Sequence, residues 1–571
     1  MQVYTLLLEI ALINLAVYLF TSKRPKDVIP TVRWWPSTFP EFLDRLTYKA
    51  AAPRLIREGY QKHKRRPFRL LKMDMDLIVI PFKYAAELRA IPSDKLDPLT
   101  ASFNDNAGAH TGILLGSELH TVAIQKRLTP GLARLIPVVL DELATTWSKL
   151  VPGGDGAWVA VQPYDFILNL TSRAAARVFV GESLSRNEEF LQAVAGFSID
   201  TFQTIDLLRA LGPALGSVVG AWIPSVRRSR ARLAYVQGLV GDEVVRRRRR
   251  RQSRNPAPEE EPPDDDFLQW CMDLARGEEE ARPEALAQRT LGILGMAVVH
   301  TTAMATTHML LDLTADSELR ESLAVELQGL CPSGWAGVDQ STLQQMTQLD
   351  SFARECQRHN PVGEFTFRRV VRQPITLSDG YRLQPGQQIA LASRNINMDP
   401  DIIGDAESFY PSRWAHHKQG TASFSHSSLT NLHFGVGRFL FHLYYMIKSI
   451  MSRIILEYDF KLASGKETRP SNILDGDKIF PDRKETMVEW ELHGQYDHRH
   501  VLLLLSAQFL QQKPQSQKEP ARRFSHFINL SKPGITQEVS PNEMSIHRQR
   551  VHRDTKETVL ERKCGAGPVF E

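Results

Sequence analysis

The sequence predicts a mainly α chain with a small β region and an N-terminal transmembrane helix. Three observations carry that prediction. Helical hydrophobic patterns run from about Gly116 to Leu330, a switch to period-two alternation follows Pro361, and an apolar run opens the chain. At 571 residues the chain has room for several domains, but one large helical domain with small sheets is equally permitted. A hydrophobic fraction of 42% and a charged fraction of 24% place it among ordinary globular proteins. The balance of 70 Lys plus Arg against 65 Asp plus Glu leaves +5, too small and too scattered a charge for a nucleic-acid partner. The cysteines, Cys271, Cys331, Cys356 and Cys564, have long irregular separations. They offer neither a zinc spacing nor a disulfide framework, which fits a reducing compartment.

The first element is Met1 to Phe20, MQVYTLLLEIALINLAVYLF, long enough to span a bilayer despite Glu9. It lacks the basic start and small-residue cut site of a cleaved signal. Lys23, Arg24 and Lys26 follow it, which by the positive-inside rule leaves the rest of the chain cytosolic. Residues 1–21 are therefore expected to be a single-pass anchor, joined to the body by a stiff spacer with Pro25, Pro30, Pro36 and Pro40. Leu77 to Phe82, LIVIPF, is a buried strand candidate. The helical block is interrupted by six arginines, Arg246 to Arg251, then by Glu259 to Glu261 and Asp264 to Asp266 among prolines. Such like-charge blocks read as a solvated linker, and the acidic half argues against a nucleic-acid arm. After Pro361, Phe365 and Phe367 alternate with polar residues, and Ile375 to Leu377 and Ile389 to Leu391 flank the turns Ser378-Asp379-Gly380 and Pro385-Gly386. This predicts a small antiparallel sheet between two helical blocks. A last helix is expected over Leu440 to Glu457. Residues 491–571, rich in Gln, Lys, Arg, His and Ser, read as a disordered or spurious tail.

Three segments carry chemistry. In Leu349 to Pro361, LDSFARECQRHNP, Glu355 and Arg358 stand three apart and share a helix face. An isolated surface pair of this kind stabilises little. Roughly 55 residues later, FYPSRW supplies Arg413, and one carboxylate taking two planar guanidinium groups makes a directional lock. The second segment is Leu294 to Leu310, LGMAVVHTTAMATTHML, with Thr301, Thr302, Thr306 and Thr307 beside His300 and His308. β-branched hydroxyl residues are mediocre helix formers, but each can return its hydroxyl to the carbonyl four residues back, for Thr301 that of Ala297. The third is Asn431 to Lys448, NLHFGVGRFLFHLYYMIK, whose glycines suit a loop that must approach another group closely.

In this order the segments resemble the cytochrome P-450 family over about Pro30 to Trp490. Its E-x-x-R helix and P-x-R-[FW] meander match Glu355, Arg358 and Arg413, implying a structural Glu-Arg-Arg triad. Its A-G-x-[DE]-T-T oxygen-activation motif matches Ala297, Thr301 and Thr302, with Val298 in place of Gly and His300 in place of the acid. The resemblance assigns Thr301, Thr302 and His300 to oxygen activation and proton supply. Its F-G-x-G-x-R-x-C-x-G loop matches Phe434, Gly435, Gly437 and Arg438, which would meet the heme. Arg438 and, from HTVAIQKR, Arg127 are implied partners of the heme propionates.

The match then breaks, because Arg438 is followed directly by Phe439, where the family has roughly His-Ala-Cys-Pro-Gly-Arg. Without a gap Phe441 stands at the ligand position, and phenylalanine cannot ligate iron, so no metal ligand is assigned. The family pattern recovers at Met451 to Leu462, as a short in-frame omission would leave it. His433 and His442 lie nearby, but histidine would forgo the electron push of a thiolate. Cys271, Cys331 and Cys356 lie in unrelated segments.

The resemblance implies a cytochrome P-450 fold over residues 22–490, a heme cofactor, and an endoplasmic reticulum membrane anchor with a cytosolic body. It also implies an NADPH-cytochrome reductase as electron donor and insertion of one oxygen atom from O2 into an apolar small molecule. Fungal members of this type oxidise terpenoids or other secondary metabolites. The alternative is a catalytically inactive membrane protein that has lost its heme thiolate.

Overall fold

The computed structural model describes residues 29–113, 117–151, 158–252, 264–416, 423–424, 426, 428–432, 441–482 and 488–492. The expected anchor, the loop residues His433, Phe434, Gly435, Gly437 and Arg438, and the tail beyond Leu492 lie outside the described residues.

Strand β1 (Thr31–Val32) leads into helix α1 (Glu41–Lys62), whose first turn carries Glu41 and Asp44 at the positive end of the helix dipole. Then come β2 (Phe68–Leu71) and β3 (Asp76–Val79), the latter covering the first three residues of the apolar LIVIPF run and ending before Pro81. β4 (Leu96–Asp97) follows. The helical block contains α2 (Leu132–Leu150), the short strand β5 (Val159–Val161), α3 (Pro163–Ser185), α4 (Glu188–Val219), α5 (Pro224–Gln252) and α6 (Phe267–Leu274). It continues with α7 (Pro283–Thr314), α8 (Ser317–Leu330) and α9 (Thr347–His359). Side chains placed before the helices cap them: Asn187 accepts from the Phe190 amide at 3.0 Å and Asp316 from the Leu319 amide at 2.9 Å.

After α9 come β6 (Thr366–Val371), β7 (Ile375–Thr376), β8 (Arg382–Leu383) and β9 (Gln388–Leu391). The expected local sheet is only part of what forms. β7 and β8 pair as a hairpin, and Gly380 and Gly386 supply the positive φ that the turns on either side of β8 require. β6 and β9 pair antiparallel, but β9 also runs parallel to β3, with Leu77 opposite Gln388 and Val79 opposite Ala390. The sheet is thus six-stranded, in the order β1-β2-β3-β9-β6-β4. A bulge between Thr366 and Arg369, with Phe367 at positive φ, interrupts the alternation of β6. Helix α10 (Phe441–Glu457) and strands β10 (Tyr458–Leu462), β11 (Ile473–Asp475), β12 (Lys478–Phe480) and β13 (Val488–Leu492) complete the chain. β13 joins β10 to the distant β5, so ordered pairing extends two residues past Trp490.

The arginine run departs from the linker expectation, for Arg246 to Arg251 form the last turns of α5. Arg247 is buried, its guanidinium donating to both carboxylate oxygens of Asp266 at 2.7 Å and to Glu243 at 2.6 Å. Arg246 pairs with Glu243 and Arg251 with Asp273, each at 2.8 Å. Arginine is a good helix former, and the acids that neutralise it lie one turn back or on α6 and the residues just before it. A charge run read along the sequence does not reveal partners met across a helix pair.

Helix α7 is, by length and composition, apolar enough to cross a membrane, yet 83% of its apolar window is inside the protein. It is the central core helix. Arg247→Ala should leave the buried Asp266 carboxylate without its guanidinium partner and lower stability by about 3–5 kcal/mol in urea unfolding. An unchanged midpoint would show that these charges are solvated.

Candidate functional site

Glu355 sits on the buried face of α9 with no exposed surface. Arg358 donates to it through Nε at 2.9 Å and Nη2 at 2.7 Å. Arg413 adds Nε at 3.0 Å, Trp414 its indole N–H at 3.0 Å and Tyr410 its backbone N–H at 3.0 Å. The structure therefore brings Glu355, Arg358 and Arg413 together, with Tyr410 and Trp414 as further donors that spacing did not single out. The two arginines pass the connection on: Arg358 donates to the carbonyls of Asn397 and Ser408, and Arg413 to those of Gly404, Asp405 and Ser408. Burial alone would raise the Glu355 carboxyl. The hydrogen bonds from Arg358, His359 and the Tyr410 amide outweigh it and hold the group well below the usual carboxylate range.

Helix α7 is α-helical to Leu291, π-helical over Gly292–Val299 and α-helical again from His300. A π segment releases carbonyls from the regular ladder, and Ser198 of α4 donates to that of Gly295 at 2.8 Å. A Cβ on Gly295 would lie 3.0 Å from that hydroxyl, so glycine allows the approach. Directly after the π segment the threonines bond back onto the helix. Thr301 donates to Ala297 O at 2.7 Å, Thr302 to Val298 O at 2.7 Å, Thr306 to Thr302 O at 2.9 Å and Thr307 to Ala303 O at 2.7 Å. His308 is buried farther along, its Nδ1 3.0 Å from Arg469, and burial with that neighbouring guanidinium pushes its pKa down to about 3.

A cavity of about 660 Å³ lies against this helix. His300, Thr301, Met296 and Met304 form one wall, and Phe202 and Ile205 of α4, Val362, Phe365 and Phe480 add apolar surface. Thr302 is fully buried behind that wall. The opposite part is charged. Arg368 reaches Asp105 at 2.9 Å and Asp477 more closely still, Lys72 meets Asp477 at 3.4 Å, and Arg209 meets Asp74 at 2.8 Å. These polar residues have no shared motif, and sequence reasoning missed them. Tyr164 was missed for the same reason, although its hydroxyl lies 3.0 Å from His300 Nδ1. Arg127 is exposed on the turn Ile124–Leu128 and does not line the cavity. Arg438, Phe434, Gly435 and Gly437 lie outside the described residues.

A heme thiolate requires a cysteine with a depressed pKa at the cavity. Cys271, Cys331 and Cys356 are all buried, none lines the cavity, and burial raises each thiol. At Cys356 the nearby Asp312 raises it further. No cysteine occurs between Cys356 and Cys564, and Cys564 lies outside the described residues. The described residues do not fit the proximal side of a heme.

Residues 139–480 match the family model described as cytochrome P450. The chain is 58% identical over 468 residues to cytochrome P450 monooxygenase terP of Tolypocladium album, a match covering 80% of this chain and 91% of that protein. It is 54% identical over 481 residues to cytochrome P450 monooxygenase ltmP of Epichloe festucae var. lolii, covering 82% and 95%. Against cytochrome P450 monooxygenase AtmP of Aspergillus flavus the identity is 42% over 465 residues, covering 81% and 89%.

Because the Glu355 carboxyl is held below its ordinary value of 4.5, its contribution to stability is complete above that pH and is lost as the pH falls toward the depressed value. Glu355→Gln should lower stability at neutral pH by about 3–5 kcal/mol and flatten the acid limb of stability against pH. An acid limb identical to the parent's would show that Glu355 is not the group responsible.

Proposed function

The chain belongs to the cytochrome P450 family, and from that premise we propose a monooxygenase that inserts one oxygen atom from O2 into an apolar small molecule, a terpenoid or other secondary metabolite. The observation that carries the reading is the cavity of about 660 Å³, which sets apolar side chains around Thr301 and His300 on α7. Heme, the cofactor of the family, supplies the oxygen chemistry when bound. The missing proximal ligand restricts the reading to a form of the protein whose loop after Arg438 carries a cysteine.

In that form Thr301 and His300 hold protons at the cavity wall, with Thr302 behind them. Glu355, Arg358 and Arg413 keep the core rigid. Phe434, Gly435, Gly437 and Arg438 belong to the cofactor loop, and Arg127 is assigned to a propionate. Members of the family take electrons from a reductase; here we assign an NADPH-cytochrome reductase on the same membrane. Residues 1–21 anchor the protein in the endoplasmic reticulum, residues 22–490 form the cytosolic body, and residues 491–571 are assigned no part in catalysis.

The absent cysteine favours a second reading, a catalytically inactive relative. Transcript sequencing across the codons for Phe434 to Met446 separates the two, because extra codons supplying a cysteine favour the enzyme and their absence favours the inactive protein. The chain as given should show no thiolate-type band in a reduced carbon monoxide difference spectrum, and the appearance of one would overturn the ligand assignment. With the loop restored, Thr301→Ala should consume NADPH with several-fold less product. Unchanged coupling would remove Thr301 from proton supply.

A further inference from the structure

We propose that Arg469 is a positioning residue for the cavity. By binding His308 and Asp312 of α7 it holds the β11–β12 hairpin at a set separation from Thr301, and so decides which ligands fit between the two walls. Positions 301, 304, 308 and 312 follow one stripe of α7 at helical spacing. Thr301 and Met304, the first half of that stripe, line the cavity, whereas His308 and Asp312 are buried beyond it. Arg469, in the segment between β10 and β11, meets this second half. Its Nε donates to Asp312 and its Nη2 to His308 Nδ1 at 3.0 Å, while Nη1 donates to Asn472 Oδ1 at 2.9 Å. Asn472 donates to Asn360 Oδ1 at 2.8 Å, and Asn360 donates to the Asp312 carboxylate at 3.3 Å. Four side chains thereby close a ring, with Asn360 directly after α9 and Asn472 directly before β11.

A guanidinium has donors only, so the His308 nitrogen that faces it must accept, and the imidazole proton resides on Nε2. Burial and the same guanidinium push the pKa of His308 down to about 3, which keeps the ring neutral, as an accepting Nδ1 requires. Nε2 lies 3.5 Å from the carbonyl oxygen of Ile479 in β12. The hairpin is thus tied to α7 at the start of one strand and within the other. It brings Asp475, Asp477, Lys478 and Phe480 to the cavity. Backbone bonds, from the Ile479 N–H to the Val362 carbonyl at 3.2 Å and from the Glu364 N–H to the Asp477 carbonyl at 3.0 Å, fix β12 along residues 362–364. The ring adds the tie to the helix that carries Thr301, so one helix sets the spacing of both walls.

The use of the cavity rests on the monooxygenase reading, but the experiment needs neither cofactor nor turnover, so the two fail separately. Nile red, an apolar dye that brightens in dry surroundings, is titrated into the full chain and into Arg469→Gln, Phe480→Ala and the double variant. The expected result is several-fold weaker binding in each single variant and little further loss in the double one, because Arg469 acts through the hairpin. Additive losses overturn the proposal, since a merely structural arginine would lower the unfolding midpoint and leave the two effects independent. Unchanged binding in either single variant overturns it as well. Long-range 1H–15N spectra of the parent, with His308→Asn identifying the signal, should show His308 protonated on Nε2, and protonation on Nδ1 contradicts the ring. If Arg469→Gln does not fold, Asn472→Ala, which opens the ring and keeps both charges, takes its place in the cycle.

Discussion

A single buried carboxylate organises the region on which the cavity depends. Glu355 is a charge removed from water, which is tolerable only when its oxygens are fully hydrogen-bonded. Five N–H bonds from Arg358, Tyr410, Arg413 and Trp414 meet that requirement. The guanidinium groups then need acceptors for their remaining hydrogens and find them in backbone carbonyls between Asn397 and Ser408. A segment with little regular structure is thereby given one conformation. Arg354 adds to it, stacked 3.8 Å over the Trp414 ring. Side-chain charge here does what a sheet or helix ladder does elsewhere.

Helix α7 shows how one helix serves as core and as site. Most of its side chains are buried, and its threonines turn their hydroxyls back onto carbonyls of the previous turn, which satisfies those hydroxyls within the helix. The π segment breaks this regularity directly before His300 and Thr301, and Ser198 binds the Gly295 carbonyl there. His300 and Thr301 therefore stand where the helix changes register, with Ser198 of α4 and Tyr164 of α3 packed against that stretch.

The cavity combines an apolar wall with a cluster of opposed charges. Asp477, on the turn between β11 and β12, is shared by Lys72 and Arg368. Burial would raise its carboxyl, but those two cations hold it well below the ordinary range. Arg209 and Asp74 bring α4 into the same group. Among the described residues, no cysteine lines this cavity. The described cysteines are buried thiols that contribute packing, and Cys356 is held next to Asp312 rather than at the cavity.

What the sequence by itself determined is everything that short-range geometry encodes. The helical class, the strand at Leu77, the turns at Gly380 and Gly386, and the helix ending at Glu457 follow from periodicity and turn chemistry over a few residues. The Glu355–Arg358 pairing and the Thr301 bond to Ala297 are i,i+3 and i,i−4 relations, fixed once a helix forms. The absence of a cysteine in the residues directly following Arg438 is likewise a statement about sequence alone. Tertiary structure decided the rest. It made β3 and β9 neighbours across some 300 residues, seated Arg247 in the interior against Asp266 while Arg251 paired with Asp273 nearer the surface, and set Tyr164 against His300. Each of these is a contact between residues far apart in the chain, chosen by packing and charge compensation in three dimensions. No local pattern records such choices, because hydrophobic periodicity says which face is buried and not what it is buried against.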